Sequence, residues 1–365
     1  MKSTLLQTYG EHPFSVIRLQ VSGTQKKIGY QLAEFAAASV NGKTAATPIS
    51  ADEKKRRLAT METYAGVLND RATGVAEFYH NQEIDPYSLN MSQQLGTFAC
   101  SSLFCSSDNI KLHGRNYDFT LMGLDQLIGG SSTSKLRPFV DPVIVLEITP
   151  TDKGFKNVSV VSHDLFALFD GMNEYGLSIA LLAVENNGFL EERNYEAVYE
   201  ILVPRILLER CKTVEEAVIL FEKMPKLIEF IPVHYIVADR AGHSAVLEWE
   251  CSKKQHGVFY SKTENLACTN HFLSSVQDSS HLAHYENSKM RLNTLLKTDT
   301  NAIRDAAYME TTMSQVDVEV KDDSGNIIGA TLWRSIYDLD RLTARYWFLD
   351  RQHDLKKAKS VIFRL

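Results

Sequence analysis

Residues 99–119 read ACSSLFCSSDNIKLHGRNYDF, and this stretch decides the fold. Two runs of apolar and small residues flank the cluster Ser106-Ser107-Asp108-Asn109. Ser, Asp and Asn favour turns because their side chains bond the neighbouring backbone. The stretch therefore predicts a β-hairpin with its turn near Asp108. Antiparallel pairing would then bring Cys100 opposite residues 115–118.

The predicted hairpin gathers three reactive side chains at one end, namely the Cys100 thiol, the Arg115 guanidinium and the Asp118 carboxylate. A neighbouring cation favours the thiolate, and a carboxylate can orient the groups that transfer a proton. Cys105 lies on the same strand, but its offset from Asp118 suits catalysis less well. We therefore predict that Cys100 is the nucleophile of an enzyme.

Composition excludes several classes of protein. The chain has 365 residues, of which 44% are hydrophobic and 23% charged, values typical of a globular protein. The net charge of −6 argues against a nucleic-acid partner. We find neither an apolar run long enough for a membrane span nor a signal peptide. The five scattered cysteines do not suggest a disulfide framework, so we predict a reduced, cytoplasmic protein.

Hydrophobic periodicity changes several times along the chain. Residues 14–21 alternate like a strand, residues 28–80 are mainly helical, and strand patterns return at 142–148, 157–163 and 177–183. Helical patterns follow at 192–224 and 281–296, with further strands between and after them. Strands in hairpins with separate helix pairs indicate an α+β fold, in which helices pack outside antiparallel sheets.

Several segments carry a family resemblance when they are taken in order. They are ACSS at 99–102, GRNYD at 114–118, DGMNEYGL at 170–177, HYIVAD at 234–239 and TNHF at 269–272. In this order they resemble the choloylglycine hydrolase superfamily. Within that superfamily the chain is most similar to the acyl-CoA:6-aminopenicillanic acid acyltransferase branch.

The resemblance implies an N-terminal nucleophile hydrolase fold, a four-layer αββα sandwich of two antiparallel sheets. In such enzymes the nucleophile is the first residue of the mature chain, and its own α-amine is the general base. A free α-amine titrates at about 7.7–8.0, which suits that role. By analogy the chain cuts itself between Ala99 and Cys100. The products would be a helical small chain, residues 1–99, and a catalytic domain, residues 100–365.

The resemblance also assigns roles to individual residues. Cys100 would be the nucleophile, and Asp118 would bond the α-amine or the partner of the thiol. Arg115 would stabilise the thiolate or grip a substrate carboxylate. Asn270 would donate to the oxyanion of the tetrahedral intermediate.

Other candidate residues would bind the substrate. Bile-acid hydrolases carry a second oxyanion Asn ten residues after the Asn of the Gly-Met-Asn-Glu motif. That motif Asn is Asn173 here, and the later position is Ala183, so the second donor would be a backbone N–H. The later Ser-Arg pair of those enzymes matches Ser288-Lys289, with Arg291 close by. Asn173, Ala183, Lys289 and Arg291 are therefore candidate substrate contacts.

These observations predict an amidohydrolase or acyltransferase that acts on a linear, non-peptide amide through a Cys100 thioester. We predict no metal and no cofactor, a small-molecule amide or acyl substrate, and no nucleic-acid or membrane partner. Assembly into a homo-oligomer stays open. Two alternatives stay open. One is a papain-like Cys-His hydrolase that uses His234 or His271 and needs no cleavage at Cys100. The other is a relative that binds acyl ligands without turnover.

Overall fold

A computed structural model of the chain shows how these segments pack. It describes residues 1–39, 46, 48–80, 83–89, 99–107, 110–123, 137–138, 140–162, 164–184, 196–229, 231–250, 255–260, 265–273, 284–297 and 305–365. The expected hairpin turn near Asp108 falls on residues 108–109, which lie outside these ranges.

Sheet A has nine strands in the spatial order β1-β2-β5-β6-β7-β8-β11-β12-β13. These strands are β1 (Lys2–Gln7), β2 (Val16–Gly23), β5 (Val143–Pro150), β6 (Asn157–Val161), β7 (Asp170–Asn173), β8 (Ser178–Ala183), β11 (Val233–Ala238), β12 (Ser244–Glu250) and β13 (Gln255–Tyr260). All neighbouring pairs are antiparallel except β2 and β5, which are parallel.

Sheet B has seven strands, in the order β14-β3-β4-β16-β17-β18 with β15 added beside β16. They are β3 (Ala99–Ser107), β4 (Ile110–Thr120), β14 (Asn265–Cys268), β15 (Glu319–Lys321), β16 (Ile327–Asp338), β17 (Thr343–Phe348) and β18 (Val361–Arg364). β3 and β4 pair antiparallel with Cys100 opposite Tyr117, which confirms the predicted hairpin. A short parallel pair, β9 (Val198–Tyr199) with β10 (Lys226–Leu227), stands apart from both sheets.

Six helices cover the outer faces of the two sheets in the described ranges. They are α1 (Gln25–Ser39), α2 (Ala51–Tyr79), α3 (Val203–Arg210), α4 (Val214–Lys223), α5 (Tyr285–Leu296) and α6 (Ala306–Ser314). α1, α3 and α4 contact sheet A, and α2 packs on α1 and α3. α5 and α6 contact sheet B, and the sheets meet where β3 packs against β8. The order of layers is helix, sheet, sheet, helix, which is the predicted αββα sandwich.

Burial on both faces explains the sequences of the central strands. β8 (SIALLA) and β11 (VHYIVA) are buried at every position, because helices cover one face of sheet A and sheet B covers the other. Strands of this kind are apolar throughout instead of alternating. β8 packs directly against β3 of the hairpin.

The N-terminal segment 1–99, expected to be helical, also contributes strands β1 and β2 to sheet A. The exposed positions of β1 lie at the edge of the sheet, while β2 is inside it and pairs with β5. Strand residues such as Val16 and Leu19 are fully buried. The segment therefore contributes strands as well as helices to the sandwich.

A buried ion pair joins the N-terminal segment to the rest of the chain. Arg71 of α2 donates to both carboxylate oxygens of Glu209 on α3, at 2.8 and 2.6 Å, and both side chains are excluded from water. Gln25 of α1 accepts from the same guanidinium. Removal of Arg71 leaves Glu209 with only a longer contact to Arg205, at 3.4 Å, and leaves Gln25 without its donor.

We expect Arg71→Ala to lower the free energy of unfolding by about 3–5 kcal/mol, as is typical of a broken buried pair. Urea denaturation measures the change. The control is Glu77→Gln, which removes the half-exposed pair between Lys26 of α1 and Glu77 of α2. That change should cost less than about 1 kcal/mol, because water screens exposed charges. Equal losses in both variants would contradict this account.

Candidate active site

The alternation of side chains along the β3–β4 hairpin divides the site between the two faces of sheet B. Cys100 and Arg115 point towards sheet A, since Arg115 donates to the carbonyl oxygen of Leu181 in β8 at 3.0 Å. Ser101 and Asp118 point to the other face, where helix α5 packs. The two charged residues thus flank Cys100 from opposite sides and do not form a pair with each other.

Arg115 is held beside the thiol by a buried carboxylate. Its Nη2 donates to Cys100 Sγ at 3.3 Å, and its Nη1 donates to Asp170 Oδ2 at 2.9 Å. Asp170 also accepts from Trp333 Nε1 and from the hydroxyl groups of Ser335 and Tyr337. The side chains of Arg115 and Asp170 are both fully buried. A carboxylate bonded from four sides has little freedom to move, so the direction of the guanidinium is fixed.

Stacked aromatic rings cover the guanidinium. Tyr117 and Trp333 stack with their centroids 3.8 Å apart and an interplanar angle of 10°. The Arg115 guanidinium carbon lies 4.6 Å from the Tyr117 centroid and 5.6 Å from that of Trp333. Cation–π contact of this kind favours a desolvated arginine over lysine.

The backbone of Cys100 is bonded by side chains on the edge that faces β14. β14 pairs with β3 only as far as Cys268, which lies opposite Ser102. Two residues further along, the Cys100 N–H donates to Asn270 Oδ1 at 2.8 Å. Asn270 Nδ2 in turn donates to the carbonyl oxygen of Ala183 at 2.8 Å. A side-chain amide therefore takes the place of the strand partner at the residue predicted to become the new N-terminus.

Arg291 of α5 donates hydrogen bonds to the same edge of β3 and to Asn270. Its Nη1 donates to the Cys100 carbonyl oxygen at 2.6 Å and to Ser101 Oγ at 2.7 Å, and its Nη2 donates to Asn270 Oδ1 at 2.7 Å. Nη1 also lies 3.9 Å from Asp118 Oδ2. Two donors on Asn270 Oδ1 and an acceptor facing Nδ2 determine the orientation of the amide.

The structure does not bring Lys289 to this cluster. Lys289 is exposed, and its Nζ lies over the ring of Tyr285. Residues three apart share a helix face, whereas adjacent residues are turned by about 100°. Ser288 and Arg291 therefore both point inward, and Lys289 points out.

Asn173 is also bound elsewhere. Its Nδ2 donates to two main-chain carbonyl oxygens at the end of α3, and its Oδ1 accepts from two main-chain N–H groups in the turn after β7. These bonds use its Oδ1 and Nδ2 to shape a buried turn. Ala183, by contrast, is in place: its carbonyl oxygen holds Asn270, and its N–H donates towards the Cys100 sulfur and favours the thiolate.

Burial raises the pKa of the Cys100 thiol above its ordinary value. Arg115 opposes this shift and Asp118 adds to it. Arg115 lowers this pKa, but desolvation outweighs its effect, so the thiol is protonated at neutral pH in the intact chain. A proton acceptor is needed before the sulfur can attack.

Asp118 is a buried acid with one oxygen available. Its Oδ1 accepts from Thr331 Oγ1 at 2.6 Å, while its Oδ2 makes no hydrogen bond within the described part of the chain. Burial raises its pKa from 3.8 to about 6, and Arg291 and Thr331 limit the rise. Such a group can accept and return a proton near neutral pH.

The raised pKa of Asp118 predicts a loss of stability as the pH rises. Between pH 3.8 and about 6 the folded state binds more protons here than the unfolded state, so the free energy of unfolding falls with pH in that window. Asp118→Asn removes the ionisation and should be more stable than the parent chain above pH 6, by up to about 3 kcal/mol. The advantage should vanish below pH 4.

Urea denaturation at pH 4 and pH 8 measures this difference. Asp323→Asn is the control, because Asp323 is exposed to water and its surroundings change little on folding. An advantage for Asp118→Asn that is equally large at both pH values would contradict the assigned ionisation.

Neither candidate histidine bonds Cys100 among the described contacts. His234 Nδ1 faces Glu248 Oε1 at 3.1 Å, and its Nε2 faces the Thr269 carbonyl oxygen at 2.7 Å. His271 Nδ1 bonds Ser288 Oγ at 2.8 Å, and burial lowers its pKa to about 4. A Cys-His pair that includes Cys100 is therefore not formed in the described part of the chain.

Asp170 and Ser101 were not assigned roles from the sequence. Asp170 begins the Asp-Gly-Met-Asn-Glu motif, but a motif of neighbouring residues does not predict which distant side chain its carboxylate contacts.

Among the described residues, no three His, Cys, Asp or Glu side chains are grouped to hold a metal ion. No helix in the described ranges has the length and apolar character needed to span a membrane.

Two facing sheets between helical layers define the N-terminal nucleophile hydrolase class of folds. The profile of the acyl-coenzyme A:6-aminopenicillanic acid acyl-transferase family matches residues 105–352, and the chain belongs to this family. It is an enzyme of the amide hydrolase and acyltransferase class. The matched range begins five residues after Cys100. Comparison with curated proteins returns no match.

Solved structures with similar backbones share little sequence. A variant of conjugated bile acid hydrolase from Clostridium perfringens is 14% identical, with a TM-score of 0.46 over 73% of this chain and 97% of that one. Penicillin V acylase from Agrobacterium tumefaciens is 14% identical, with a TM-score of 0.44 over 72% and 90%. An N-acylethanolamine-hydrolyzing acid amidase ortholog from Caenorhabditis elegans is also 14% identical, with a TM-score of 0.44 over 73% and 100%.

Proposed function

We propose that the chain is a self-processing cysteine N-terminal nucleophile enzyme that cleaves or transfers the acyl group of a linear, non-peptide amide. One observation carries the proposal. Cys100 is bonded at both of its reactive atoms, with Sγ against Arg115 and the backbone nitrogen against Asn270. After cleavage that nitrogen would be the α-amine. The family match supports the acyl-transfer chemistry.

The first step would be cleavage of the Ala99–Cys100 bond. Cys100 Sγ attacks the Ala99 carbonyl carbon and loses its proton. Asp118, whose Oδ2 makes no hydrogen bond in the described part of the chain, is the candidate acceptor; because its carboxylate lies on the opposite face of sheet B, a water molecule would carry the proton to it. The carbon–nitrogen bond breaks, the nitrogen takes back the proton held by Asp118, and a thioester joins Ala99 to Sγ. Water then hydrolyses the thioester. The products are residues 1–99 and a catalytic chain, residues 100–365, that begins with a free amine.

The second step would be turnover of the substrate. The Cys100 α-amine takes the thiol proton, and Sγ attacks the amide carbonyl carbon of the substrate. The Ala183 N–H and the second hydrogen of Asn270 Nδ2 would stabilise the oxyanion. The amine product leaves with a proton from the α-ammonium. Water or an amine acceptor then takes the acyl group from sulfur.

The proposal also covers the role of Arg291, the location of the protein, its substrate and its oligomeric state. Arg291 would hold the Cys100 carbonyl oxygen and Asn270 in place during both steps. The four described cysteines are free thiols, which supports a reducing, cytoplasmic location. The substrate is a small amide or acyl compound, and a homo-oligomer stays a prediction.

Intact mass with N-terminal sequencing tests the proposal. We expect two fragments, of which the larger begins Cys-Ser-Ser-Leu-Phe, and turnover in a screen of linear amides. A single stable chain that retains Met1 or Lys2 would remove the α-amine from the mechanism and contradict the proposal.

A further inference from the structure

Asn270 lies in a short segment, residues 269–273, that leaves sheet B after β14. The ladder to β3 ends at Cys268, so no strand partner holds this segment. Asn270 must nevertheless present Oδ1 to Cys100 and Nδ2 to Ala183, both at 2.8 Å. Other groups must therefore fix the segment.

Two buried side chains of sheet A form hydrogen bonds with the main chain at the two ends of the segment. His234 Nε2 donates to the Thr269 carbonyl oxygen at 2.7 Å. Glu248 Oε1 accepts from the Leu273 N–H at 2.7 Å. His234 and Glu248 lie opposite each other on β11 and β12, and their side chains meet at 3.1 Å. One cross-strand pair thus bonds the main chain before and after Asn270.

The partners of His234 favour a doubly protonated ring. Its Nε2 faces a carbonyl oxygen, which can only accept, and its Nδ1 faces a carboxylate oxygen, while Cys268 is a further hydrogen-bonding neighbour. Burial alone would lower the pKa of His234, but the neighbouring Cys268 and Glu248 raise it to about 10. The imidazolium is therefore a fixed double donor at neutral pH and has no nitrogen available to act as a base.

We propose that His234 and Glu248 are positioning residues that hold residues 269–273 so that Asn270 reaches the backbone nitrogen of Cys100. Ser288 Oγ, which accepts from the Asn270 N–H at 2.7 Å, completes the support from the α5 side. The catalytic part of this proposal rests on the proposed function, because Asn270 acts there on Cys100 and on the oxyanion.

The variants Glu248→Ala and Glu248→Gln test the pair. Alanine removes the acceptor for Leu273 and His234, whereas glutamine keeps an oxygen at the same place. We expect Glu248→Ala to lower kcat roughly tenfold to a hundredfold with little change in KM, as misplacement of a catalytic group does. Glu248→Gln should restore most of the loss. His234→Gln should fall between them, because it retains one donor.

His243→Gln is the matched control. His243 lies at the turn of the same β11–β12 hairpin and faces Asp239, and its side chain is mostly exposed. It does not contact residues 269–273 among the described contacts. The same chemical change there should leave kcat within about twofold of the parent value, as surface substitutions usually do.

A double-mutant cycle separates positioning from general structural support. If Glu248 acts through Asn270, Glu248→Ala should have almost no further effect on kcat in an Asn270→Ala chain. An equal loss with and without Asn270 would overturn the proposal. So would an unchanged kcat in Glu248→Ala.

Hydrogen exchange provides a readout that does not depend on turnover. In the Cys100→Ala chain, the amides of residues 100 and 273 should exchange faster when Glu248→Ala is added, and His243→Gln should not change them. Unchanged exchange at both amides would overturn the proposal. Faster exchange together with a chain that never cuts itself would keep the positioning pair and reject only the proposed function.

Discussion

Replacement of Cys100 by alanine is expected to leave the Ala99–Cys100 bond uncut and to abolish amide turnover. Both losses have one cause, because the same sulfur would attack the Ala99 carbonyl carbon and the substrate carbonyl carbon. The variant should fold, since alanine keeps the backbone N–H that bonds Asn270 and removes only a small buried group. Intact mass and an amide assay measure the two losses.

Cys105→Ala is the matched control for this experiment. Cys105 is a buried thiol on the same strand, opposite Leu112, and it lies five residues beyond the proposed nucleophile. Its loss should leave both cleavage and turnover intact. Cleavage that persists in Cys100→Ala, or that disappears in Cys105→Ala, would contradict Cys100 as the nucleophile.

Asn270→Ala is expected to lower kcat by about 10²–10³, the usual effect of removing one oxyanion donor. Cleavage of Ala99–Cys100 should slow as well, because the Cys100 N–H and the Arg291 guanidinium both lose their acceptor. Asn270→Asp keeps that acceptor but loses the Nδ2 donor. It should therefore cut itself faster than Asn270→Ala while its turnover stays low.

Asn293→Ala serves as the control for Asn270, because Asn293 is an exposed residue on α5. Its removal should change neither cleavage nor kcat. Time courses by mass and steady-state kinetics measure both quantities. A tenfold or smaller loss of kcat in Asn270→Ala would assign oxyanion stabilisation mainly to the Ala183 N–H.

The residues that meet at the site could be predicted only in part. Cys100, Arg115, Asp118, Asn270, Ala183 and Arg291 lie together in the structure, whereas Asn173 and Lys289 do not. Lys289 was assigned because it directly follows Ser288, as Arg follows Ser in the motif of the bile-acid hydrolases. Helical geometry instead places Arg291 in the site, because Arg291 shares the inward face of α5 with Ser288 and Lys289 does not.

The sequence by itself determined the β3–β4 hairpin, because its signals are local. A turn cluster between two short strand patterns is enough to place Cys100 opposite residues 115–118, and the register agrees. The order of the motifs was enough for the family, since each motif is a short stretch of neighbouring residues. The α+β layers followed from the periods of the apolar pattern.

Only the tertiary structure decided which charges meet. Arg115 pairs with Asp170 of the facing sheet and not with Asp118, because residues three apart on a strand point to opposite faces. His234 and Glu248 reach the Asn270 segment only because β14 ends where sheets A and B meet. Desolvation raises the pKa values of Cys100 and Asp118, and burial depends on how the layers pack. These contacts join residues far apart in the chain, so no local pattern encodes them.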